Sequence, residues 1–205
     1  MKPDEIEKLS FQIIEREIGA HNFTNEQWLI VQRMIHTSAD FEYRETVRFH
    51  PDAIRAGLDA IRSGKNIITD TNMARVGIRK KELDQFGAST ACFMNDPAIH
   101  RQAQAGNLTR AKVAVNMAVE DMKGGIYVVG NAPTALMQLV ELVKAQKARP
   151  ALIIGLPVGF VNAAESKAAL MELDHPYISN MGRKGGSNVA ASVVNALAIM
   201  ASEDA

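Results

Sequence analysis

The hydrophobic pattern changes character partway along the chain. Before about residue 64, apolar positions recur at helical spacing; beyond it, short unbroken apolar runs alternate with further helical stretches. Residues 3–18 read as a helix stopped by Gly19. A second helix starts with Thr24 or Asn25 as its cap, because Trp28, Val31 and Ile35 fall at i, i+3 and i+7. Pro51 opens a third, which runs through Ile54, Leu58 and Ile61 to Gly64. NIIT (66–69), TACFM (90–94), IYVV (126–129) and ALIIG (151–155) are compact apolar runs bounded by turn residues, and PYIS (176–179) is a weaker fifth. Helical stretches over about 79–86, 109–122, 133–147, 163–172 and 188–201 separate or follow them. Strands separated by helices require right-handed crossovers and build a parallel sheet covered on both faces. Runs without polar alternation fit strands buried on both sides. The expected fold is α/β, a single-domain three-layer sandwich over residues 1–205 with about five parallel strands plus N-terminal helices, whose place the pattern does not fix.

Composition narrows the function classes. Lys plus Arg is 23 and Asp plus Glu is 23, so the chain carries no bulk positive charge with which to grip nucleic acid. Cys92, the single cysteine, can form neither an internal disulfide nor a cysteine-based zinc site, and within an apolar run it reads as a small hydrophobe. No apolar run reaches the roughly 18 residues of a membrane span. The start, MKPDEIEKLS, lacks the apolar stretch of a signal peptide. These features predict a soluble, cytoplasmic protein with neither nucleic acid nor membrane as partner.

In open parallel sheets ligands sit in the crevice outside the carboxyl ends of the strands. The segments that follow the runs are therefore the candidates: 70–73, 130–134, 155–159 and 182–187. GRKGGSN (182–188) is the most telling. Its glycines let backbone approach a ligand, Ser187 or Asn188 can cap the following helix, and a helix start flanked by Arg183 and Lys184 favours an anion. A tight turn with two solvated cations explains the same spacing equally well. Neither a Walker loop nor a G-x-G-x-x-G string occurs, so nothing points to a nucleotide.

His36, in RMIHTSADF, lies near the carboxyl end of the second helix, where partial negative charge on the last carbonyls suits a proton-carrying ring. Asp40, four residues on, is placed to share its helical face or orient it. The bland reading is a structural histidine packed among Met34, Ile35 and Phe41. A metal site is not indicated, since no spacing supplies a third ligand. His21, His50, His100 and His175 read as loop, turn or surface residues, and Arg79-Lys80-Lys81 as a solvated face.

Taken together, the strings SFQII (10–14), RMIHTSADF (33–41), TDTNMARVGI (69–78), GNAPTAL (130–136), GLPVGFVNAAESKAAL (155–170) and GRKGGSNVAASVVNAL (182–197) resemble one family. The chain is similar nearly end to end to the precorrin-8X methylmutases, also called precorrin isomerases or cobalt-precorrin-8 methylmutases. The resemblance implies an isomerase of cobalamin biosynthesis that moves a methyl group from C-11 to C-12 of a corrin-type ring by a 1,5-sigmatropic shift. It implies His36 as proton donor and acceptor, Ser10 as a substrate contact, and a homodimer with clefts at the subunit interface. It also implies no dissociable cofactor: cobalt, where present, arrives inside the tetrapyrrole. HTSADF and GRKGGSNVAA look more like the cobalt-dependent, anaerobic branch, whose product is cobalt-bearing cobyrinate rather than hydrogenobyrinate.

The chemistry agrees with the resemblance. A methyl shift needs no external nucleophile, whereas protonation of the conjugated ring makes it electron-poor and lowers the barrier. The acetate and propionate arms of such a ring call for local donors in a chain of zero net charge. Arg183, Lys184 and the helix start at Ser187 fit that need, with Arg75, Arg79 and Lys167 as weaker candidates. Asn131 and Thr134 either bond carboxylates or cap the helix after IYVV. Two rivals stand beside the isomerase: a non-catalytic tetrapyrrole carrier, and a nucleotide-dependent α/β enzyme, which the missing phosphate loops disfavour.

Overall fold

Apolar runs lacking polar alternation can be buried only with helices on both sides, and that is how the sheet is built. A computed structural model describes residues 2–203; the ends of the expected 1–205 domain, Met1, Asp204 and Ala205, lie outside them. The chain opens with α1 (Pro3–Ile18), α2 (Asn25–Ser38) and the short α3 (Tyr43–Thr46), then β1 (Val47–Phe49) and α4 (Ala53–Arg62). β2 (Ile67–Thr69), α5 (Asn72–Gly77), α6 (Lys80–Asp84), β3 (Thr90–Ala91), α7 (Pro97–Gly106) and α8 (Arg110–Met117) follow. The last part alternates strictly: β4 (Ile126–Val129), α9 (Pro133–Lys144), β5 (Leu152–Gly155), α10 (Ala163–Met171), β6 (Tyr177–Asn180) and α11 (Ser187–Glu203).

The strands lie in the order β1-β6-β5-β4-β2-β3. β2 to β6 are mutually parallel, giving the five expected parallel strands, and β1 is added antiparallel to β6 at one edge. The pleat sorts their side chains between two cores. Ile126 and Val128 of β4, with Leu152 and Ile154 of β5, face α4 and α11. Tyr127, Val129 and Ile153 face α8, α9 and α10. At about 1.5–3 kcal/mol for each fully buried large apolar side chain, these two layers are the main source of stability.

α11 is buried on nearly every side, from Val189 to Ala201, because α2 covers the face turned away from the sheet. α1 in turn packs on α2, where Trp28 Nε1 donates to Glu15 at 2.6 Å and Gln32 Nε2 to the Phe11 carbonyl at 3.3 Å. The N-terminal helices are therefore an outer layer on one face of the sandwich. Thr24 caps α2 by accepting from the Gln27 amide, as the pattern predicts.

Three expectations need correcting. The run 90–94 yields a strand of only two residues, because β3 is an edge with a single neighbour, and Cys92, Phe93 and Met94 leave the ladder half-buried. Residues 72–77, to which the pattern assigned no helix, form a short one capped by Thr71. β1 was not expected at all.

Candidate active site

The parallel strands deliver 70–73, 130–134, 155–159 and 180–187 to one edge of the sheet. There the connections after β2 and β4 leave in opposite directions, which opens a crevice between those strands. Much of it is closed by the protein itself. Asp70, 2% exposed, accepts from the backbone N–H groups of Gly130 (2.9 Å), Asn131 (2.8 Å) and Ala132 (2.8 Å). Burial pushes its carboxyl above the ordinary aspartate range, against the pull of these donors. Thr71 Oγ1 meets Ser187 Oγ at 2.8 Å. Gly130 is a glycine because a Cβ there would stand 2.6 Å from the Ser187 Cα.

The same joint takes in Ser187. It is buried and its hydroxyl is shared with Thr71, while the Gly186 amide is already given to Leu156 O at 2.9 Å. The start of α11 is packed against the ends of β2 and β5 through these two bonds. Lys167 is fully buried as well, and Nζ donates to Asn180 Oδ1 (3.0 Å) and to the backbone carbonyl of Lys184 (2.7 Å). Burial lowers its pKa to about 8.

His36 is exposed in the last turn of α2, and the Phe11 ring of α1 meets it edge-on with 5.1 Å between centroids. Arg33, paired with Glu7 at 3.2 Å, lies 5.2 Å from the centre of the other side of that contact, the Phe11 ring. Ser10 precedes Phe11, is half-buried, and donates to Ile6 O at 2.9 Å. Asp40 does not share the His36 face: Ala39 takes a left-handed φ of 53° and turns the chain out of the helix. Asp40 pairs instead with Lys184 Nζ at 2.6 Å, and Glu42 pairs with the same ammonium at 2.7 Å. Burial alone would raise the Asp40 carboxyl, but Lys184 and the Glu42 amide overcome it and hold it below the usual range. The two carboxylates hold the Lys184 ammonium above the usual lysine range. The ion pair thus ties the GRKGG loop to the end of the helix that carries His36.

The other candidates scatter. Arg183 is exposed, with its guanidinium 5.6 Å from the ring centre of Phe160, itself 86% exposed. The Asn131 side chain is exposed at the same edge, and Thr134, in the first turn of α9, accepts from Thr109 Oγ1 at 3.1 Å. Arg75 bonds Asn72 within α5 and lines a separate cavity of about 200 Å³ with Lys80 and Asp84. Arg79 pairs with Glu82 at 2.7 Å, and its amide is held by Asn195 of α11, away from the loop cluster. Reasoning from sequence missed the roles of Asp70, Thr71 and Asn180. An acidic residue ending the fully buried run Ile67–Thr69 was the available signal for Asp70.

Among the described residues no three His, Cys, Asp or Glu side chains are grouped to hold a metal ion, and no helix is long and apolar enough to cross a membrane.

Comparison with known proteins decides the relationship. The family model for precorrin-8X methylmutase matches residues 5–200. The chain belongs to that family. It is 48% identical over 201 residues to the cobalt-precorrin-8 methylmutase of Priestia megaterium, covering 98% of this chain and 89% of the relative. It is 36% identical over 195 residues to the precorrin-8X methylmutase of Pseudomonas aeruginosa, covering 94% and 93%. The crystal structure of precorrin-8x methyl mutase from Thermus thermophilus superimposes with a TM-score of 0.92 at 43% identity, over 98% of this chain and 97% of that one. The methylmutase family thus accounts for the whole α/β sandwich with its N-terminal helical layer, and its members are isomerases.

Proposed function

We propose that this isomerase of cobalamin biosynthesis moves the methyl group of cobalt-precorrin-8 from C-11 to C-12, with His36 lending and recovering the proton. The observation that carries the reading is an exposed imidazole at the end of α2, met edge-on by Phe11, on a helix whose end is tied through Asp40 and Lys184 to the glycine-rich loop after β6. Protonation draws electron density from the conjugated ring as the C-11 bond to methyl breaks and the C-12 bond forms. The proton then returns to His36, so atoms and charge balance without a co-reactant. An acid so placed is worth about 10²–10⁴-fold, and rigid holding of the ring supplies further acceleration.

Arg183, Lys184, Asn131, Thr134 and Ser10 are the groups we propose for the carboxylate arms. Cobalt is taken as part of the substrate, and the greater identity to a relative named for the cobalt compound supports that choice. We further propose a cytoplasmic homodimer. Val158, Phe160, Val161 and Met181 stand exposed at the rim of the site, 43%, 86%, 76% and 44% respectively, and a second copy laid over them would enclose the macrocycle.

The test is His36→Ala. Turnover falls by about 10²–10⁴-fold while the tetrapyrrole spectrum still shifts on mixing. Full turnover in the variant, or a flat rate from about pH 5 to about pH 9 in the parent, overturns the acid role.

A further inference from the structure

A lysine buried without a carboxylate partner is unusual, because desolvating an ammonium is expensive and an apolar side chain of similar length packs as well. Lys167 is such a residue: it is fully buried and, among the described residues, its Nζ contacts only neutral acceptors, Asn180 Oδ1 and Lys184 O. Asn180, also fully buried at the end of β6, sends its Nδ2 to the same Lys184 carbonyl at 3.0 Å and to Met181 O at 3.1 Å. Two buried donors thus converge on one backbone oxygen in the middle of a loop that is otherwise exposed from Met181 to Lys184.

That oxygen belongs to the residue whose side chain reaches the other way. Lys184 Nζ bridges Asp40 and Glu42, just beyond the helix end that bears His36. The loop is also fastened on its flank, where the Gly159 amide donates to Arg183 O at 3.1 Å and the Gly186 amide to Leu156 O at 2.9 Å. A Cβ on Gly185 would run into Leu156 O, so the loop lies flat on the β5–α10 connection. Position therefore passes from a buried point on α10, through one residue of the loop, to the end of α2.

We infer that Lys167 is a positioning residue: its buried ammonium fixes loop 181–186 so that Lys184 holds the end of α2, and with it His36, in register with the strand ends. This inference rests on the proposed role of His36. It replaces the idea that Lys167 meets a substrate arm, and explains why a charge is kept where an apolar residue would fit. A side chain without a donor there would leave Lys184 O with the Asn180 amide alone, and the loop free to shift. Misplacement by about 1 Å is enough to lose about 10²-fold in rate.

The test combines three readouts on full-length Lys167→Met: turnover, melting midpoint, and amide hydrogen exchange of residues 182–186. We expect turnover to fall about tenfold or more, faster exchange in the loop, and a melting midpoint within a few degrees of the parent, because relief of the buried charge offsets the lost bonds. A cycle with Lys184→Met then separates positioning from general weakening. If Lys167 acts through Lys184, the double variant is no slower than the slower single variant; losses that multiply overturn the inference. Turnover within twofold of the parent, or unchanged loop exchange, also overturns it. If Lys167→Met does not fold, Lys167→Leu, which also lacks a donor, carries the same readouts. If the parent converts no precorrin, the proposed function fails, yet loop exchange and tetrapyrrole binding still decide whether Lys167 sets the loop.

Discussion

Replacing Asp70 by Asn tests how the strand ends are held together. The change keeps size and shape but turns one acceptor oxygen into an N–H₂ group. If the amide oxygen keeps the Gly130 N–H, the nitrogen faces the N–H groups of Asn131 and Ala132, both now at 2.8 Å from Asp70 Oδ2. An unsatisfied buried donor costs about 1–3 kcal/mol. Two of them set a range of about 2–6 kcal/mol, and two effects bring it toward the lower end. Asn131 lies at the surface, so its amide can turn to water, and a charge is no longer buried. A net loss of about 3 kcal/mol is expected. Urea unfolding followed by circular dichroism measures it, read as a lower midpoint with an unchanged slope. The same variant loses turnover, since 130–134 supplies two of the proposed contacts. A stability loss below about 1 kcal/mol would refute the idea that this carboxylate joins β2 to β4.

Other consequences are read more simply. Gly130→Ala drives a methyl group to 2.6 Å from the Ser187 Cα and lowers stability by about 1–3 kcal/mol, measured in the same melts. Because burial lowers the Lys167 pKa from 10.5 to about 8, the unfolded chain binds more protons between those values. Stability contributed at this site is therefore lowest below pH 8 and recovers as pH rises toward about 10.5, by roughly 3 kcal/mol. Lys167→Met removes that rise, and parallel urea melts from pH 7 to pH 10 would reveal a slope that persists. Asp40→Asn loosens the Lys184 bridge; we expect turnover to fall several-fold and to become less sensitive to salt, with little change in melting midpoint. Unchanged turnover in Asp40→Asn would remove the bridge from the account.

What could be read from the sequence follows from where each side chain's partners lie. IYVV and ALIIG are buried on both faces, so their burial is written in the run itself and β4 and β5 were legible. Val47-Arg48-Phe49 has only three residues with a cation in the middle, and its pairing with β6 lies more than 120 positions away; no local pattern could reveal it. Ile67 and Ile68 have neighbours on both sides, whereas TACFM has one, which is why a longer run made a shorter strand. His36 was legible as a residue at a helix end, but its relation to Asp40 was not. That depended on Ala39 entering the left-handed region, which alanine sequence does not signal. The Lys184 bridge is equally invisible locally, since it joins residues brought together only by the fold. Lys167 did leave a trace. Ala163, Ser166, Lys167 and Leu170 fall at i, i+3, i+4 and i+7, so the lysine lies on the buried face of α10.

The central claim, methyl migration at this site, is met most directly by an anaerobic visible-spectrum time course. Purified protein is mixed with cobalt-precorrin-8 and, in parallel, with metal-free precorrin-8X. Migration changes the conjugation of the ring, so the account predicts a progressive colour change, faster with the cobalt substrate and abolished in His36→Ala. A spectrum that shifts once on mixing and then stays constant, with both substrates recovered unchanged, would contradict the isomerase and leave a tetrapyrrole carrier in its place.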